Sequence, residues 1–375
     1  MEREFLLLLS AQGICHSRLG MLFCLSASAR LVNKSLGARL QRGLLALGLA
    51  SRAKSLLHRW GTLRCASTGT CVFDRQVKYL QRQWAAKEAD FSEYEYLRSE
   101  VAKRLCERLL DFRCSFRRVL DVGAGASYVR RSLVGNKIVS GLELLVEVEL
   151  SSAMLEHGLE RLPLSETPFR TTQLTADEEL FLPALWQGGY LEKAPFDLAI
   201  SCMAMHWIND LPGMLAQVRA ALQPGGVFLG AMLGGETLHE LRVSLQLAED
   251  SLLGGVGIHT SPMVEFQDTA RLLTRVGFEM ITIDVDTMIV PYPDMMTLIK
   301  HLQKMAESNA LAGRQSWLSR KVLQQASKIY RERFSLPNMQ IENARGDGQV
   351  SVSDHYNDWI GATFQVVYMV GWVPT

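Results

Sequence analysis

The sequence predicts an α/β domain built on a doubly wound, mostly parallel sheet. Three observations predict it. Short apolar runs alternate with helical segments from 117 to 232. The first run ends in Asp121 and opens at once into a glycine turn, as a buried parallel strand does when its carboxyl end meets a ligand. Leu222-Gln223-Pro224-Gly225-Gly226-Val227-Phe228 then reads as a helix stop, a turn and a new buried strand.

Residues 1–72 read as a leader. Between Phe5 and Phe73 there is no Asp or Glu, yet there are nine basic residues: Arg18, Arg30, Lys34, Arg39, Arg42, Arg52, Lys54, Arg59 and Arg64. An acid-free, Arg- and Ser-rich segment with amphipathic stretches reads as a mitochondrial presequence. Leu36 to Leu57 can form a basic helix with leucines on one face. The runs Phe5–Leu9 and Leu19–Ala29 compete as a secretory signal. Both are short, and the basic region after them is too long for a signal's flank. Met21 begins a more usual presequence. No uncharged apolar run reaches the roughly 18 residues that span a bilayer, so no transmembrane helix is expected.

Residues 73–375 read as one domain with a helical N-terminal extension and a helical insertion over 262–334. Amphipathic spacing through Tyr94, Leu97, Val101, Leu105 and Leu109 makes 74–112 helical. Strand candidates are 117–122, part of 138–149, 169–174, 196–202 and 226–232. Leu211–Leu222 is the helix between the last two. Ser261-Pro262 supplies an N-cap and a first helical residue for a helix ending near Gly277. A strand at 278–286 follows, then helices near 294–309 and 316–333. Residues 335–362 carry Pro, Gly, Asn and Asp with little periodicity and read as an inserted loop. Thr363–Trp372 is the final strand.

Hydrophobic residues make up 48% of the chain and charged residues 21%, as in soluble enzymes. The net charge of +1 combines a basic leader with an acidic remainder, which argues against nucleic-acid binding. Seven cysteines include no Cys-x-x-Cys pair, so neither a zinc framework nor a disulfide scaffold is predicted. No Gly-x-Ser-x-Gly, His-Glu-x-x-His or His-x-Asp/Glu pattern occurs, and no metal site or catalytic residue is assigned.

The glycine turn carries the most chemistry. Asp121-Val122-Gly123-Ala124-Gly125-Ala126-Ser127-Tyr128 has the spacing Asp-x-Gly-x-Gly-x-Ser. A dinucleotide fingerprint needs glycine where Tyr128 stands, and a P-loop needs a Gly-Lys-Ser/Thr that is missing. The run resembles the first motif of class I S-adenosylmethionine (SAM) methyltransferases, with Ser127 in place of the third glycine. That resemblance implies SAM as cofactor, and a seven-stranded, mostly parallel sheet with an antiparallel last strand. Asp121, Gly123 and Gly125 would line the cofactor, the glycines letting backbone N–H groups come close. An acid at the end of the second strand would accept the ribose hydroxyls. Glu143 and Glu149 compete, and Glu149 is favoured because it leads into a helix start at Leu150–Leu155. Asp177 is the candidate for the adenine amine, against its alternative as a plain helix start. His206 and Trp207 follow the fourth strand and would wall the reaction chamber, although methyl transfer from a sulfonium can work by positioning alone.

Further motifs carry a closer resemblance. They are Phe73-Asp74-Arg75, Gln83-Trp84-Ala85-Ala86, His206-Trp207-Ile208-Asn209-Asp210-Leu211-Pro212 and Gly230-Ala231-Met232-Leu233-Gly234-Gly235-Glu236-Thr237-Leu238. Glu240-Leu241-Arg242, Ser244-Leu245-Gln246-Leu247-Ala248-Glu249, His259-Thr260-Ser261-Pro262, Gly277-Phe278, Tyr292-Pro293, Glu307-Ser308-Asn309 and Tyr368-Met369-Val370-Gly371-Trp372 continue them. Over 73–373 the chain resembles the assembly factor 5 family of mitochondrial complex I (NADH:ubiquinone oxidoreductase), an arginine-hydroxylase and methyltransferase family. Wider kin include the biotin-pathway methyltransferase acting on malonyl-carrier protein. The resemblance implies an enzyme of the mitochondrial matrix, peripheral to the inner membrane, acting early in complex I assembly beside other early assembly factors. It would hydroxylate an arginine on the iron–sulfur subunit near the quinone site. The chain departs from that family at Ser127, near 140–145 and 184–194, and in its long 335–362 loop.

An arginine-bearing partner would suit Glu236 and Glu240, with Glu249, on the carboxyl edge after the fifth strand, since charge-assisted pairing orients a guanidinium. The alternative is a solvated helix face. Residue chemistry alone reads as a SAM-dependent methyltransferase acting on a protein or small molecule. A non-catalytic assembly chaperone with a vestigial SAM pocket is the third alternative.

Overall fold

The structure is a computed structural model and describes residues 71–136, 138, 140–193, 195–314, 317–336 and 359–375. The leader at 1–70 and most of the 335–362 loop lie outside the described residues. Two helices precede the sheet, α1 (Arg75–Lys87) and α2 (Tyr96–Glu107). The Asp74 carboxylate caps α1 by accepting from the Val77 N–H at 3.1 Å. Alternation then sets in: β1 (Arg118–Val122), α3 (Tyr128–Gly135), β2 (Leu144–Glu149), α4 (Ser152–Arg161) and β3 (Arg170–Thr175). Two short helices, α5 (Leu182–Gln187) and α6 (Tyr190–Lys193), precede β4 (Phe196–Cys202). α7 (Leu211–Ala221) leads to β5 (Leu222–Leu233), and α8 (His239–Leu253) and α9 (Phe266–Val276) lead to β6 (Glu279–Tyr292). α10 (Met295–Lys304) and α11 (Arg320–Phe334) precede β7 (Ile360–Trp372).

The seven strands lie in the order β3-β2-β1-β4-β5-β7-β6. β1 to β5 pair in parallel, and β7 runs antiparallel to both β5 and β6. The sheet is therefore the expected one, mostly parallel with an antiparallel last strand. β1, β2 and β4 are buried along almost their whole length, as strands covered on both faces are, and carry Asp121, Glu147 and Glu149 among their apolar residues. The order reverses between β1 and β4. That switch point opens a crevice at the carboxyl edge, where ligands of open α/β sheets bind. No helix among the described residues is long and apolar enough to cross a membrane.

Three local expectations are corrected. The helix expected from Ser261-Pro262 begins at Phe266, because Val264 is drawn into a parallel bridge with Gly234. It does end at Gly277, whose φ of +95° suits glycine alone. The 262–334 insertion is not wholly helical, since it carries β6. That strand runs on to Tyr292, past Pro291, rather than stopping near 286. β6 is an edge strand, and a proline without an N–H is tolerated there.

Glu240 belongs to this framework. Its side chain is fully buried under β7, where it accepts from the Thr363 N–H at 3.1 and 3.2 Å and from the Thr363 hydroxyl. Glu240→Ala should therefore destabilise the domain by about 1–3 kcal/mol, the usual cost of leaving buried donors unpaired. Chemical denaturation of the variant would check this; a change within about 0.5 kcal/mol, as on an ordinary surface site, would contradict it.

Candidate functional site

The site is built outward from the glycine turn at the carboxyl end of β1. Gly123 and Gly125 have φ of +78° and +57°, and Ser127 shares that left-handed region at +57°. The missing third glycine thus falls where backbone geometry favours glycine. The Gly123 and Ala124 N–H groups donate to the Val148 carbonyl at 2.8 and 3.0 Å, tying the turn to β2. A Cβ at Gly123 would stand 2.2 Å from Ala204 Cβ, so only glycine allows the turn to pack against the loop after β4.

Two acids face the turn. Glu149 ends β2, is fully buried, and accepts from the Gly125 N–H at 2.8 Å and the Ser151 N–H at 3.0 Å. Glu143 instead lies on the surface before β2, paired with Arg117. Of the two ribose candidates, the structure brings only Glu149 to the turn. Glu178 is the second acid, with its Cγ 3.7 Å from the position a Gly123 Cβ would take. Its neighbour Asp177 is partly exposed and pairs with Arg75 at 2.7 Å. The sequence reading singled out Asp177 and missed Glu178, one residue on, because a cluster of acids does not reveal which one turns inward.

Asp121 lies in the fourth position of β1. Both its carboxylate oxygens are buried without a hydrogen-bond partner. Burial, reinforced by the carboxylates of Glu147 and Glu149, holds its pKa well above the usual carboxylate range.

α1 supplies the opposite charge. Arg75, Lys78 and Arg82 follow one another at helical spacing, and Lys78 and Arg82 are buried. Arg82 Nη1 donates to Glu149 Oε1 at 2.9 Å and also to Glu178 Oε1. Arg75 donates to Glu178, to Asp177 and to the Trp207 carbonyl. Burial alone would raise the Glu178 pKa, but the Arg82 and Arg75 guanidinium groups outweigh it and lower it.

A second buried cluster stands beside the first. Glu307, in the segment after α10, bonds the Arg98 guanidinium from α2. Its other oxygen faces His206 Nε2 at 3.1 Å and accepts from Trp207 Nε1 at 2.8 Å. Lys78 Nζ lies 3.3 Å from the Trp207 ring centroid and donates to the Ala306 and Ser308 carbonyls at 2.9 and 3.1 Å. Burial pushes the Lys78 pKa well below its usual value, with Glu307 opposing only in part. His206 is likewise lowered by burial and is neutral at pH 7. For Glu307, burial favours the neutral acid, but Arg98, His206 and Lys78 prevail and hold the carboxylate ionised. Arg98 links the clusters: Nη1 donates to the Met203 carbonyl at 3.1 Å and lies 3.8 Å from a Cβ built on Gly125.

The structure thus gathers Asp121, Gly123, Gly125, Glu149, Asp177, His206 and Trp207 at one edge. It does not bring Glu240 there. Glu236 is exposed on the turn before α8, its N–H donating to Gln365 Oε1 at 3.3 Å. Glu249 is buried against His259 at 2.7 Å, with Gly257 N–H on its other oxygen. Arg82, Lys78, Arg98 and Glu307 are additions. A basic stripe on an N-terminal helix ordinarily signals a solvated face. Only the pairing partners, distant in sequence, show that it turns inward.

These residues suit a cationic nucleoside such as SAM in type and placement. Glu149 stands where a ribose diol would be held, the Asp121 oxygens have no hydrogen-bond partner within the protein, and the Glu178 carboxylate matches a positively charged ligand.

The strand order, the Asp-Gly turn and the acid ending β2 together define a class I methyltransferase fold. A family model described as a methyltransferase domain matches residues 120–228, from β1 into β5. The chain is 40% identical over 306 residues to the protein named arginine-hydroxylase NDUFAF5, mitochondrial, of Danio rerio, covering 82% of this chain and 84% of that protein. It is 37% identical over 301 residues to the Homo sapiens protein of the same name, covering 80% and 76%. The chain belongs to the arginine-hydroxylase NDUFAF5 family. It is also similar, at 28% identity over 282 residues, to the malonyl-[acyl-carrier protein] O-methyltransferase of Methylovorus sp., covering 74% of this chain and 82% of that protein.

A carboxyl whose folded pKa is raised contributes stability that is present below its unfolded pKa and lost as pH rises through the folded one. Asp121→Asn should therefore be more stable than the natural protein by about 1–3 kcal/mol at pH 8, the scale of a buried unpaired polar group. The gap should close toward pH 4. Thermal melts at the two pH values decide it, and an equal gap at both would show that Asp121 is not protonated on folding.

Proposed function

We propose that this chain hydroxylates an arginine side chain of another protein during assembly of mitochondrial complex I, with dioxygen as the co-substrate that gives one oxygen atom to the C–H bond and an external two-electron donor that reduces the other atom to water. The observation that carries the reading is the Glu307 carboxylate, buried between His206 and Trp207 and already seating a guanidinium, that of Arg98. A fixed, ionised carboxylate with two flanking aromatic groups is suited to orienting an arginine by charge-assisted hydrogen bonds. Its relatives' printed name, arginine-hydroxylase, supports the same substrate. Neutral His206, its Nδ1 buried and unpartnered, can accept a proton inside this chamber. Glu236 is proposed as an exposed contact on the rim, and Glu240 as a structural residue behind it.

SAM is the proposed cofactor, and when bound it would supply a sulfonium with a transferable methyl group. Glu149 would hold its ribose hydroxyls, Gly123, Gly125 and Asp121 would border it, and Glu178 or Asp177 would meet the adenine amine. The partner is proposed to be the iron–sulfur subunit near the quinone site, met in the matrix at the inner-membrane surface beside other early assembly factors. The acid-free leader and the relatives' printed word "mitochondrial" support that address. A second reading, methyl transfer to a protein or small molecule, is favoured by the methyltransferase-domain match over 120–228.

Mass spectrometry of the partner subunit after incubation with the protein separates the two readings. Hydroxylation adds the mass of one oxygen atom to an arginine, and methylation the mass of one methylene group. Glu307→Gln should cut modification about tenfold or more, since charge-assisted pairing contributes roughly 1.5–3 kcal/mol. Undiminished modification by that variant would remove Glu307 from the substrate site.

A further inference from the structure

We infer that α1 is a latch on the nucleoside cradle, in which the Arg82 guanidinium occupies the place and supplies the charge of a cationic nucleoside, so that binding requires Arg82 to leave. The inference rests on the SAM reading above and goes beyond it.

The first ground is the hydrogen-bond account at Glu149. Oε2 is taken by the Gly125 N–H, and Oε1 is shared by the Ser151 N–H and Arg82. Arg82 is the one of these three donors that belongs to a side chain and can withdraw without undoing the β1 and β2 turns. A ribose diol can take its place on Glu149 once it has gone. The second ground is charge. Glu149 and Glu178 are fully buried, and Arg82 is only 2% exposed. Glu178 keeps Arg75, but Glu149 pairs with no second guanidinium among the described residues, so it cannot lose Arg82 without another cation arriving. A sulfonium-bearing nucleoside brings that cation and a neutral one does not. The third ground is that Arg82 is seated imperfectly. Nη1 serves both acids, while Nη2 is buried with no partner. A guanidinium held by one nitrogen, with another unsatisfied, is a removable occupant.

Space leads to the same conclusion. The Gly123 turn packs against Ala204, and Lys78 of α1 covers the Trp207 ring from the same side as Arg82. Opening the cradle therefore displaces the buried stripe of α1. Of the buried residues of α1, only Ala85 and Ala86 are apolar, and their side chains are small. α1 remains tethered at its start by Asn209, which donates to the Phe73 carbonyl at 3.0 Å and accepts from its N–H at 2.8 Å. Binding then draws on the fraction of molecules with the latch open, and the apparent affinity falls by that fraction.

The test measures SAM binding to the full chain by calorimetry, and its rate by stopped-flow tryptophan fluorescence, with Trp207 in the site. In the natural protein the observed rate should level off at high SAM, at the rate of latch opening. In Arg82→Gln it should stay proportional to SAM concentration, with affinity about tenfold or more tighter. Arg82→Lys, a single point charge able to reach one acid at a time, should fall between the two and serves if the glutamine variant does not fold. Weaker or unchanged SAM affinity in these variants, or a natural-protein rate proportional to SAM throughout, overturns the latch and leaves the cofactor reading intact. No SAM binding by the natural protein or either variant overturns the cofactor reading, and the latch with it.

Discussion

The Arg82 guanidinium, set between the Glu149 and Glu178 carboxylates, is the interaction on which the arrangement of the carboxyl edge depends. It joins α1 to the end of β2 and, together with Arg75, to the segment after β3. Fully desolvated charges of this kind are stable only as a set, since losing one partner of a buried pair costs about 3–5 kcal/mol. That condition explains why α1 lies over the switch point rather than elsewhere on the sheet. It also explains why the stripe of Arg75, Lys78 and Arg82 faces inward on a helix whose remaining surface is polar as well.

The second buried set, Glu307 with Arg98, His206, Trp207 and Lys78, extends the same logic across the mouth of β4. The two sets share a wall, because Arg98 runs from the Met203 carbonyl to Glu307 beside Gly125. Charge balance in one set is therefore felt in the other. Lys78 shows this: its amine sits among Arg75, Arg82 and Arg98, all of which disfavour its proton, and Glu307 alone among these neighbours favours it. A change in ligation at Glu149 would reach His206 through residues already in contact, with no need for a long-range pathway.

Much of the fold could be read from the sequence because β1, β2, β4 and β5 are buried on both faces and bounded by strong turn residues. Asp121 with Gly123 marks where β1 stops, and Pro224 with Gly225 follows the end of α7 at the start of β5. The errors fell where tertiary pairing overrode a local signal. Ser261-Pro262 is a sound helix start on propensity, but a bridge from Val264 to Gly234 holds that segment extended. The strand expected at 278–286 runs on past Pro291, which an edge strand tolerates. At the site, Glu149 was legible because its strand-to-helix position has a local signature. Glu178, Glu307 and Arg82 were not, because what turns them inward is a partner roughly 70 to 200 residues away in the chain, and periodicity carries no record of that.

The division of labour between core and additions follows from this. β1 to β4 and their loops supply Asp121, the glycines, Glu149 and Glu178. Everything that makes the chamber particular comes from outside that block: Arg75, Lys78 and Arg82 from α1, Arg98 from α2, and Glu307 from the segment between α10 and α11. These additions lie outside the strand pairing of β1 to β4, so they can change without altering the sheet itself. The walls of the chamber can therefore vary on a fold of methyltransferase type while the parallel sheet and its glycine turn stay as they are.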